Sequence, residues 1–485
     1  MPTKRTLKIA RFHFLFVVAA IAVVIGVSRG ARGEGGEPRY FAITNARIVT
    51  VAGPPIENGT VVIAKGLIQA VGTNVTIPPE AWVIDGKGLT VYPGLIDAGT
   101  NIGLQQEGGE APAGGGGRGA GRRMAPQGAI AMGPDDRPGT TPWRVAADEF
   151  KTDDKRIESW RSAGFTTVLS TPEGGIFPGQ GSIVDLAGER PGDFVVKPDA
   201  TLQISFRPVG GFFGFPDSLM GTIAYVRQMF DDASWYAQSE PIYAANPTKN
   251  ERLPYDRAEQ TISRALAEKQ IVILPANNTV QILRGLRLSD EWKLNAVLFG
   301  GQEGYAVADA IAAKKMPMIV SLKWPERPKD TDPEGEQTLR GLRFRDRAPG
   351  TPAAFAKAGV KFAFSSDGLS GPKDIAKNLK KSLDAGLSPD AALRAFTKDA
   401  AEILGAGDRL GTIETGKIAN VVVTDGDIFN EKTKVKDVFV DGRFFEIHPE
   451  APPEKSPHGD GGDKLMRTAN ASASQAVTTN AGVSR

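Results

Sequence analysis

Short runs of β-branched and aromatic residues alternate with turn residues near both ends of the chain. Residues 40–92 contain several such runs, separated by Gly, Pro and Asn-Gly turns, and residues 410–446 repeat this pattern. Apolar runs of this length bounded by turn residues are typical of antiparallel strands. We therefore predict a small β-sandwich domain that is built from both chain ends, 40–92 together with 410–446.

The central segment, 93–409, contains eight apolar runs of strand length, and the later runs alternate with helical patterns. This alternation indicates an α/β fold with a parallel sheet, and eight units fit a closed (β/α)8 barrel of the TIM type. The second, third and fourth runs follow one another too closely for helices, so the barrel is predicted to be distorted there. The predicted strands are 91–96, 165–170, 182–186, 201–206, 271–275, 296–299, 316–321 and 361–366.

Two segments are poor in the apolar residues that a packed core needs. Residues 105–142 are rich in glycine, and residues 448–485 are rich in Pro, Ser, Ala and Asn. Such compositions are typical of disorder. We predict an insertion on the first loop of the barrel, either disordered or acting as a lid, and a disordered C-terminal tail.

The N-terminus combines a basic stretch with an apolar segment at 14–27. This segment is short for a membrane span, so residues 1–33 are predicted to be a signal peptide that directs export to the periplasm or the extracellular space. The alternative is an uncleaved membrane anchor formed by 14–27. The protein has no cysteine, so stability has to come from packing rather than from disulfides.

The charge of the chain argues against a nucleic-acid partner. The formal net charge is +2, and residues 1–33 carry six Lys and Arg and no acidic residue, which leaves −4 on the remainder. A domain that binds nucleic acid usually carries a clear excess of positive charge. Small molecules or proteins are therefore the expected partners, and the sequence is compatible with an oligomer.

Six motifs resemble the amidohydrolase superfamily, most closely its exported imidazolonepropionase-like or dihydroorotase-like branch. They are GLIDAGTNIGL (94–104), GFTTVLSTPEGG (164–175), GQGSIVDL (179–186), FAFSSDG (362–368), GLSPDAALRAFTKDAAEILG (386–405) and GTIETGKIANVVVTDGD (411–427). The resemblance covers about 40–446. It implies a distorted (β/α)8 barrel with a composite β-sandwich, and a hydrolase that acts on carbon–nitrogen bonds other than peptide bonds.

The resemblance also implies a metal centre, usually zinc, at the mouth of the barrel. In the family, histidines, often a carboxylated lysine and an aspartate hold one or two divalent ions. The matching positions here are Gly99 and Asn101 after strand one, Gln203 on strand four, Pro275 on strand five, and Gly301 or Gln302 after strand six. Only the aspartate of the last strand remains, as Asp367.

The histidine content supports this reading independently of any alignment. The only histidines are His13, His448 and His458, so 14–447 contain neither histidine nor cysteine. Zinc sites in proteins are built mainly from these two residue types, and we therefore expect no cofactor. Magnesium or calcium on oxygen ligands is the alternative; the candidate ligands are Asp97, Asn101, Glu173, Gln302, Glu303 and Asp367.

Three functions follow from these patterns. The first is a degenerate amidohydrolase, a pseudoenzyme that acts as a binding or partner subunit for a small molecule or for an intact amidohydrolase paralogue. The second is an active hydrolase that uses Asp367 with oxygen ligands, and the third is a structural interaction protein. The predicted binding residues are Asn101, Glu173, Gln203, Asn277 and Gln302, and Asp367 is the predicted catalytic residue of any activity.

Overall fold

The structure, a computed structural model, describes residues 40–104, 137, 139–209, 215–327 and 335–448. The strands are β1 (Tyr40–Ile48), β2 (Ile56–Ala64), β3 (Leu67–Gly72), β4 (Trp82–Asp85), β5 (Thr90–Pro93), β6 (Leu95–Thr100), β7 (Phe165–Ser170), β8 (Gly179–Asp185), β9 (Val195–Gln203), β10 (Ile271–Ala276), β11 (Ala296–Gly300), β12 (Met318–Ser321), β13 (Phe362–Ser365), β14 (Val421–Thr424), β15 (Val435–Val440) and β16 (Arg443–Glu446).

The α-helices are α1 (Ala146–Glu149), α2 (Arg156–Ser162), α3 (Pro191–Phe194), α4 (Leu219–Ala245), α5 (Arg257–Ala267), α6 (Thr279–Trp292), α7 (Ala308–Ala313), α8 (Leu339–Arg347), α9 (Thr351–Ala358), α10 (Pro372–Asp384), α11 (Pro389–Phe396) and α12 (Lys398–Ile403). Short 3-10 turns occupy Gly304–Ala306 and Ala348–Gly350. The helical patterns that alternate with the later predicted strands correspond to α6, to the Gly304–Ala306 turn with α7, to α9 and to α10.

Strands β6 to β13 form one sheet in sequence order, and the last strand returns to the first. Hydrogen bonds cross this seam: the Ser365 hydroxyl donates to the Gly99 carbonyl at 2.6 Å, and the Ser366 N–H donates to the Asp97 carboxyl at 3.0 Å. The predicted distorted TIM-type barrel is therefore confirmed as a nearly closed eight-stranded barrel.

Strand β8 runs opposite to both of its neighbours. Its register pairs Thr167 with Asp185 and Gly179 with Gln203, whereas the other strands of the barrel pair in parallel. A parallel connection needs a crossover of about a dozen residues, and the links on either side of β8 are shorter than that. The distortion predicted between strands two and four is this reversed strand, whose C-terminus lies at the base of the barrel.

The barrel wall is apolar on both faces, as expected when helices cover a sheet. Inside the barrel, one buried cluster combines side chains from successive strands, and Phe299 packs against it from the mouth side. Outside, a larger cluster lies between the strands and the helices and includes Trp160, Phe355 and Phe364. The interior residues include Ile96, Leu169, Ile183, Ile273, Val297, Ile319 and Ala363.

The second sheet joins the two ends of the chain. Its order is β16-β15-β14-β5-β1-β2-β3, with β4 also paired to β1, and the antiparallel β5–β14 pair connects the N-terminal and C-terminal strands. Val91 lies in this sheet, so the predicted barrel strand 91–96 was wrong in its bounds. Gly94 separates β5 from β6, and a Cβ atom there would lie 2.0 Å from the Thr166 hydroxyl oxygen, so the turn between the sheets requires glycine.

Several predictions fall on residues outside the described ranges. The signal peptide, most of the Gly-rich insertion and nearly all of the C-terminal tail are in this position. The end of the predicted insertion is described and folded, because Thr140 is fully buried and forms a 2.6 Å hydrogen bond with the Tyr225 hydroxyl. Within the described ranges, no helix has the length and hydropathy that a membrane span requires.

Candidate functional site

Polar side chains follow the ends of several barrel strands and meet at the mouth of the barrel. Asn101 follows β6, Glu173 follows β7 and Asp367 follows β13, while three cationic side chains come from α2 and from the segments after β9 and β12. We call this group the mouth cluster: Asn101, Arg156, Glu173, Arg207, Lys323 and Asp367. Ligand sites of such barrels lie at this face.

Asn101 is held from two sides. Its amide nitrogen donates to the Glu173 carboxylate at 3.0 Å, and its amide oxygen accepts a 2.6 Å hydrogen bond from Arg156. Arg156 also donates to the Asn101 carbonyl at 3.0 Å and is oriented by Asp154 at 2.7 Å. The structure thus brings together two of the predicted binding residues, Asn101 and Glu173, and fixes them through Arg156.

Glu173 and Asp367 carry carboxyl groups with perturbed acidity. Desolvation raises the pKa of Glu173, and the negative charge of Asp367 raises it further, while Asn101, Arg207 and Arg156 oppose the rise. Desolvation also raises the pKa of Asp367, against the effect of Lys323, the Gly368 N–H and Arg207. Both side chains nevertheless reach solvent. The mouth cluster is therefore a rim of interacting charges of both signs.

Asp97 lies beneath this rim and is almost completely buried, with 1% of its surface exposed. One carboxyl oxygen accepts from the Gly99 and Ser366 N–H groups at 3.3 and 3.0 Å, and the other accepts from the Trp160 indole at 3.3 Å and from the Ser366 hydroxyl. Burial raises the pKa of Asp97 to about 6, although these hydrogen bonds oppose the rise. All of these contacts are internal, so Asp97 joins the first and last strands of the barrel.

The serines beside Asp367 are engaged in the same seam. The Ser366 hydroxyl donates to Asp97, and the Ser365 hydroxyl donates to the Gly99 carbonyl at 2.6 Å. Ser365 also accepts the Asp367 N–H at 3.1 Å. A catalytic serine needs a base that accepts its proton, and these hydroxyls are instead bound to structural acceptors.

The residues present do not fit the zinc centre of the family. A Cβ atom built on Gly99 would lie 2.9 Å from Cε2 of Phe299 and 3.2 Å from the Ser365 hydroxyl oxygen. Any side chain at this position, including an imidazole, therefore requires Phe299 to move. Phe299 comes from β11, one of the strands whose ends carry ligands in the family.

The other predicted ligand and binding positions have structural partners or lack a donor. Gln203 donates to Thr201 at 2.7 Å, and Gln302 donates to the Lys323 carbonyl at 2.6 Å. The Asn277 N–H donates to Gln281 at 2.8 Å, and the Asn277 side-chain oxygen lies where a Cβ atom on Gly300 would be. Pro275 and Gly301 offer no side-chain ligand atom. The side-chain amides of Gln203 and Gln302 are thus engaged in contacts within the protein.

The candidate oxygen ligands for magnesium or calcium also do not form a metal site. Glu303 accepts a 3.0 Å hydrogen bond from the Thr279 N–H at the start of α6, and Asp97 is saturated by internal donors. Within the described part of the chain, no group of three or more His, Cys, Asp or Glu residues is placed to hold a metal ion.

Three residues of the mouth cluster were not predicted from the sequence: Arg156, Arg207 and Lys323. Arg207 lies four residues after β9, and Lys323 lies two residues after β12. Their positions just past the carboxyl ends of barrel strands were the available signal. Arg156 carries no such signal, because it begins α2, which precedes barrel strand β7.

The fold and the mouth cluster define a class of protein: an amidohydrolase-type barrel with a composite β-domain, in which the positions of the histidine ligands hold other residues. The sequence model of the Amidohydrolase family matches residues 341–445, which include Asp367 and the segment that leads into the composite sheet. No curated protein matches the chain by sequence.

Solved structures extend the similarity over the barrel. An amidohydrolase from Thermotoga maritima MSB8 is 26% identical with a TM-score of 0.69, and the match covers 84% of this chain and all of that one. A second amidohydrolase is 18% identical with a TM-score of 0.51, covering 85% of this chain and all of that one, and shows the fold alone. The resemblance to the amidohydrolase superfamily is thereby confirmed.

Proposed function

We propose that this protein is a degenerate amidohydrolase that binds a ligand at the barrel mouth without zinc-dependent hydrolysis. The observation that carries the proposal is the position of Phe299, whose ring occupies the direction in which a side chain on Gly99 would project. The absence of histidine and cysteine from 14–447 supports it independently. A fold alone does not determine chemistry, so the residues of the site decide the proposal.

The mouth cluster supports a small polar ligand that carries both signs of charge. Arg207 and Lys323 present exposed cations, and Glu173 and Asp367 present carboxylates that reach solvent. A carboxylate on the ligand would pair with the cations, and an ammonium group would pair with the carboxylates. Asn101 is immobilised by Arg156 and Glu173 and supports the geometry of this rim.

Metal analysis tests the proposal directly. Purified protein is dialysed against Zn, Mn and Co salts in turn, and bound metal is measured by elemental mass spectrometry. We expect less than one tightly held ion per chain in each case, and the double variant Gly99→His/Asn101→His should not restore zinc, because Pro275 and Gly301 still provide no ligand. A stoichiometric, tightly held metal in the unmodified protein would overturn the proposal.

A second candidate is a metal-free hydrolase of carbon–nitrogen bonds, which the raised pKa values of Asp367 and Glu173 favour. Carboxyl groups with raised pKa values are the kind used for general acid–base chemistry near neutral pH. It predicts turnover on a panel of cyclic amides, lactones and dipeptides that Asp367→Asn abolishes. If no member of the panel is turned over, the binding function stands alone.

We also propose export through the N-terminal segment, which supports a role outside the cytoplasm, and an intact amidohydrolase paralogue as a further candidate partner. Mass spectrometry of protein isolated from its source would test export. A mature N-terminus near residue 34 supports cleavage of the signal, whereas an intact N-terminus contradicts it.

A further inference from the structure

The face of the barrel formed by α4 and α6 carries an apolar stripe that the fold does not use. Met220 is 81% exposed and Val280 is 64% exposed, with Leu219 and Leu283 also exposed beside them. The two helices enclose a groove of about 700 Å³, which we call the α4–α6 groove. Large apolar side chains that are grouped on a surface mark sites of interaction more often than isolated ones do.

Both helices repeat the same spacing along the groove. On α4, Met220 and Ile223 are followed by Arg227, and on α6, Val280 and Leu283 are followed by Arg284 and Arg287. Positions separated by three, four and seven residues share one face of a helix. The opposite faces are already buried against the barrel, so these stripes are additional to the core.

The groove has an apolar end and a basic end. Arg227 is paired with Glu291 at 2.8 Å. Arg284 and Arg287 have no ion pair among the described residues, and one terminal nitrogen of Arg284 is buried there without a hydrogen-bond partner. Arg287 is exposed and Arg284 is partly exposed, and both line the groove, so this end is positively charged and complementary to a carboxylate.

We propose that the α4–α6 groove binds an amphipathic helix of a partner protein whose acidic residues follow its apolar residues. The apolar side chains of that helix would enter between Met220 and Val280, and its carboxylates would reach Arg284 and Arg287 about one or two turns further on. This docking site lies on the helical outer face and does not depend on the ligand proposed for the mouth.

Two other occupants fit less well. The residues that line the groove include no acidic side chain, so a second copy that presented the same groove would bring no carboxylate to Arg284 or Arg287. An anionic membrane presents its charges in a plane, whereas Arg284 and Arg287 line a groove between two helices.

Binding of a designed peptide to the full chain tests the proposal. The probe is a fluorescent amphipathic peptide of about four helical turns with Leu at helical spacing and Glu beside it, and its control carries Lys in place of Glu. Fluorescence anisotropy should give a micromolar Kd for the Glu peptide and a Kd at least about tenfold weaker for the Lys peptide.

Variants locate the binding. Met220→Ser/Val280→Ser and Arg284→Gln/Arg287→Gln should each weaken binding by about tenfold or more. Ile242→Ser changes an exposed residue of α4 outside the groove and should leave the Kd unchanged. Circular dichroism checks that each variant folds.

The proposal is overturned if both peptides bind equally, if neither binds, or if the groove variants bind as the unmodified protein does. Self-association in ultracentrifugation that Met220→Ser/Val280→Ser abolishes would assign the groove to a second copy. Loss of binding to vesicles of anionic lipid in the groove variants, without any binding of the Glu peptide, would assign it to a membrane. Either result replaces the proposed partner.

Discussion

Acidic residues have different roles at the barrel mouth and inside the fold. At the rim, Glu173 and Asp367 reach solvent and face cations. Asp97, between β6 and β13, and Asp185, between the barrel and the composite sheet, are buried and accept hydrogen bonds from neutral donors. The carboxylates at the mouth can therefore bind a ligand in place of their present partners, whereas the buried carboxyl groups connect parts of the fold.

Asp185 connects the barrel to the composite sheet. Its carboxyl group accepts from the Thr167 hydroxyl at 2.6 Å and from the Asn420 amide at 2.8 Å, at the base of the barrel. The Asn420 side-chain oxygen accepts the Asp441 N–H at 2.7 Å, and the Asn420 carbonyl accepts the Gly94 N–H at 2.8 Å. One side chain of the composite sheet thus links it to the barrel.

The largest effect separating the two regions is expected for Asp97→Ala. It removes the acceptor of four donors, and buried donors left without partners should lower the free energy of unfolding by about 3–5 kcal/mol. The matched variant Asp367→Ala should change it by no more than about 0.5 kcal/mol, since that side chain is exposed. Urea denaturation measures both. Equal effects would show that the rim is also structural.

The second test uses pH. Burial raises the pKa of Asp185 to about 7, despite the hydrogen bonds from Thr167 and Asn420. The native state then holds a proton that the unfolded state releases above about pH 4, so the free energy of unfolding should fall as pH rises towards 7 and level off above it. From this group we expect a loss of about 2–3 kcal/mol between about pH 5 and 8.

Asp97, with its pKa raised to about 6, contributes in the same direction. Asp185→Asn removes the titrating group and should flatten the pH profile of stability measured by denaturation at each pH. An unchanged slope in this variant would mean that Asp185 is ionised in the native state. Asp367→Asn is the comparison at the rim, where the carboxyl group reaches solvent and the effect on the slope should be smaller.

Gly99→Ala tests how tightly Phe299 packs against Gly99, between the buried Asp97 and the barrel mouth. The added methyl group would meet Phe299, so we expect a loss of about 1 kcal/mol in the free energy of unfolding. Gly53→Ala is the matched control, because a Cβ atom there meets nothing within 4 Å. If both variants behave alike, Phe299 moves freely and the space beside Gly99 remains available to a larger side chain.

The smallest effect concerns the coupling of charges at the rim. Because the negative charge of Asp367 contributes to the raised pKa of Glu173, Asp367→Asn should lower the pKa of Glu173. Titration of the carboxyl ¹³C resonance of labelled glutamate measures this shift. A constant pKa would show that the two carboxylates do not interact.

Much of the fold could be predicted from the sequence, but the direction of β8 could not. All seven residues of β8 are buried, although they include Gln180, Ser182 and Asp185, so the strand shows no alternation and its residue pattern does not indicate its direction. The split between β5 and β6 was missed for a related reason, since apolar residues continue from Val91 to Ile96 and the boundary rests on the tight packing of Gly94.

The candidate site was predictable only in part. Asn101, Glu173 and Asp367 were found because a family motif or a strand end marks them. Their partners Arg156 and Lys323 were not, since long cationic side chains reach the mouth from segments far apart in sequence, and no periodic pattern records which of them converge. The hydrogen bonds that fix Asn101 could be identified only from the structure.

The reversed strand β8 also bears on how the chain reaches its native state. Strands β7, β8 and β9 pair with their neighbours in sequence as an antiparallel meander. Contacts between residues close in sequence form faster than the long-range pairing that closes the barrel between β13 and β6. We therefore expect the meander to be structured early in folding, before the ends of the chain meet in the composite sheet.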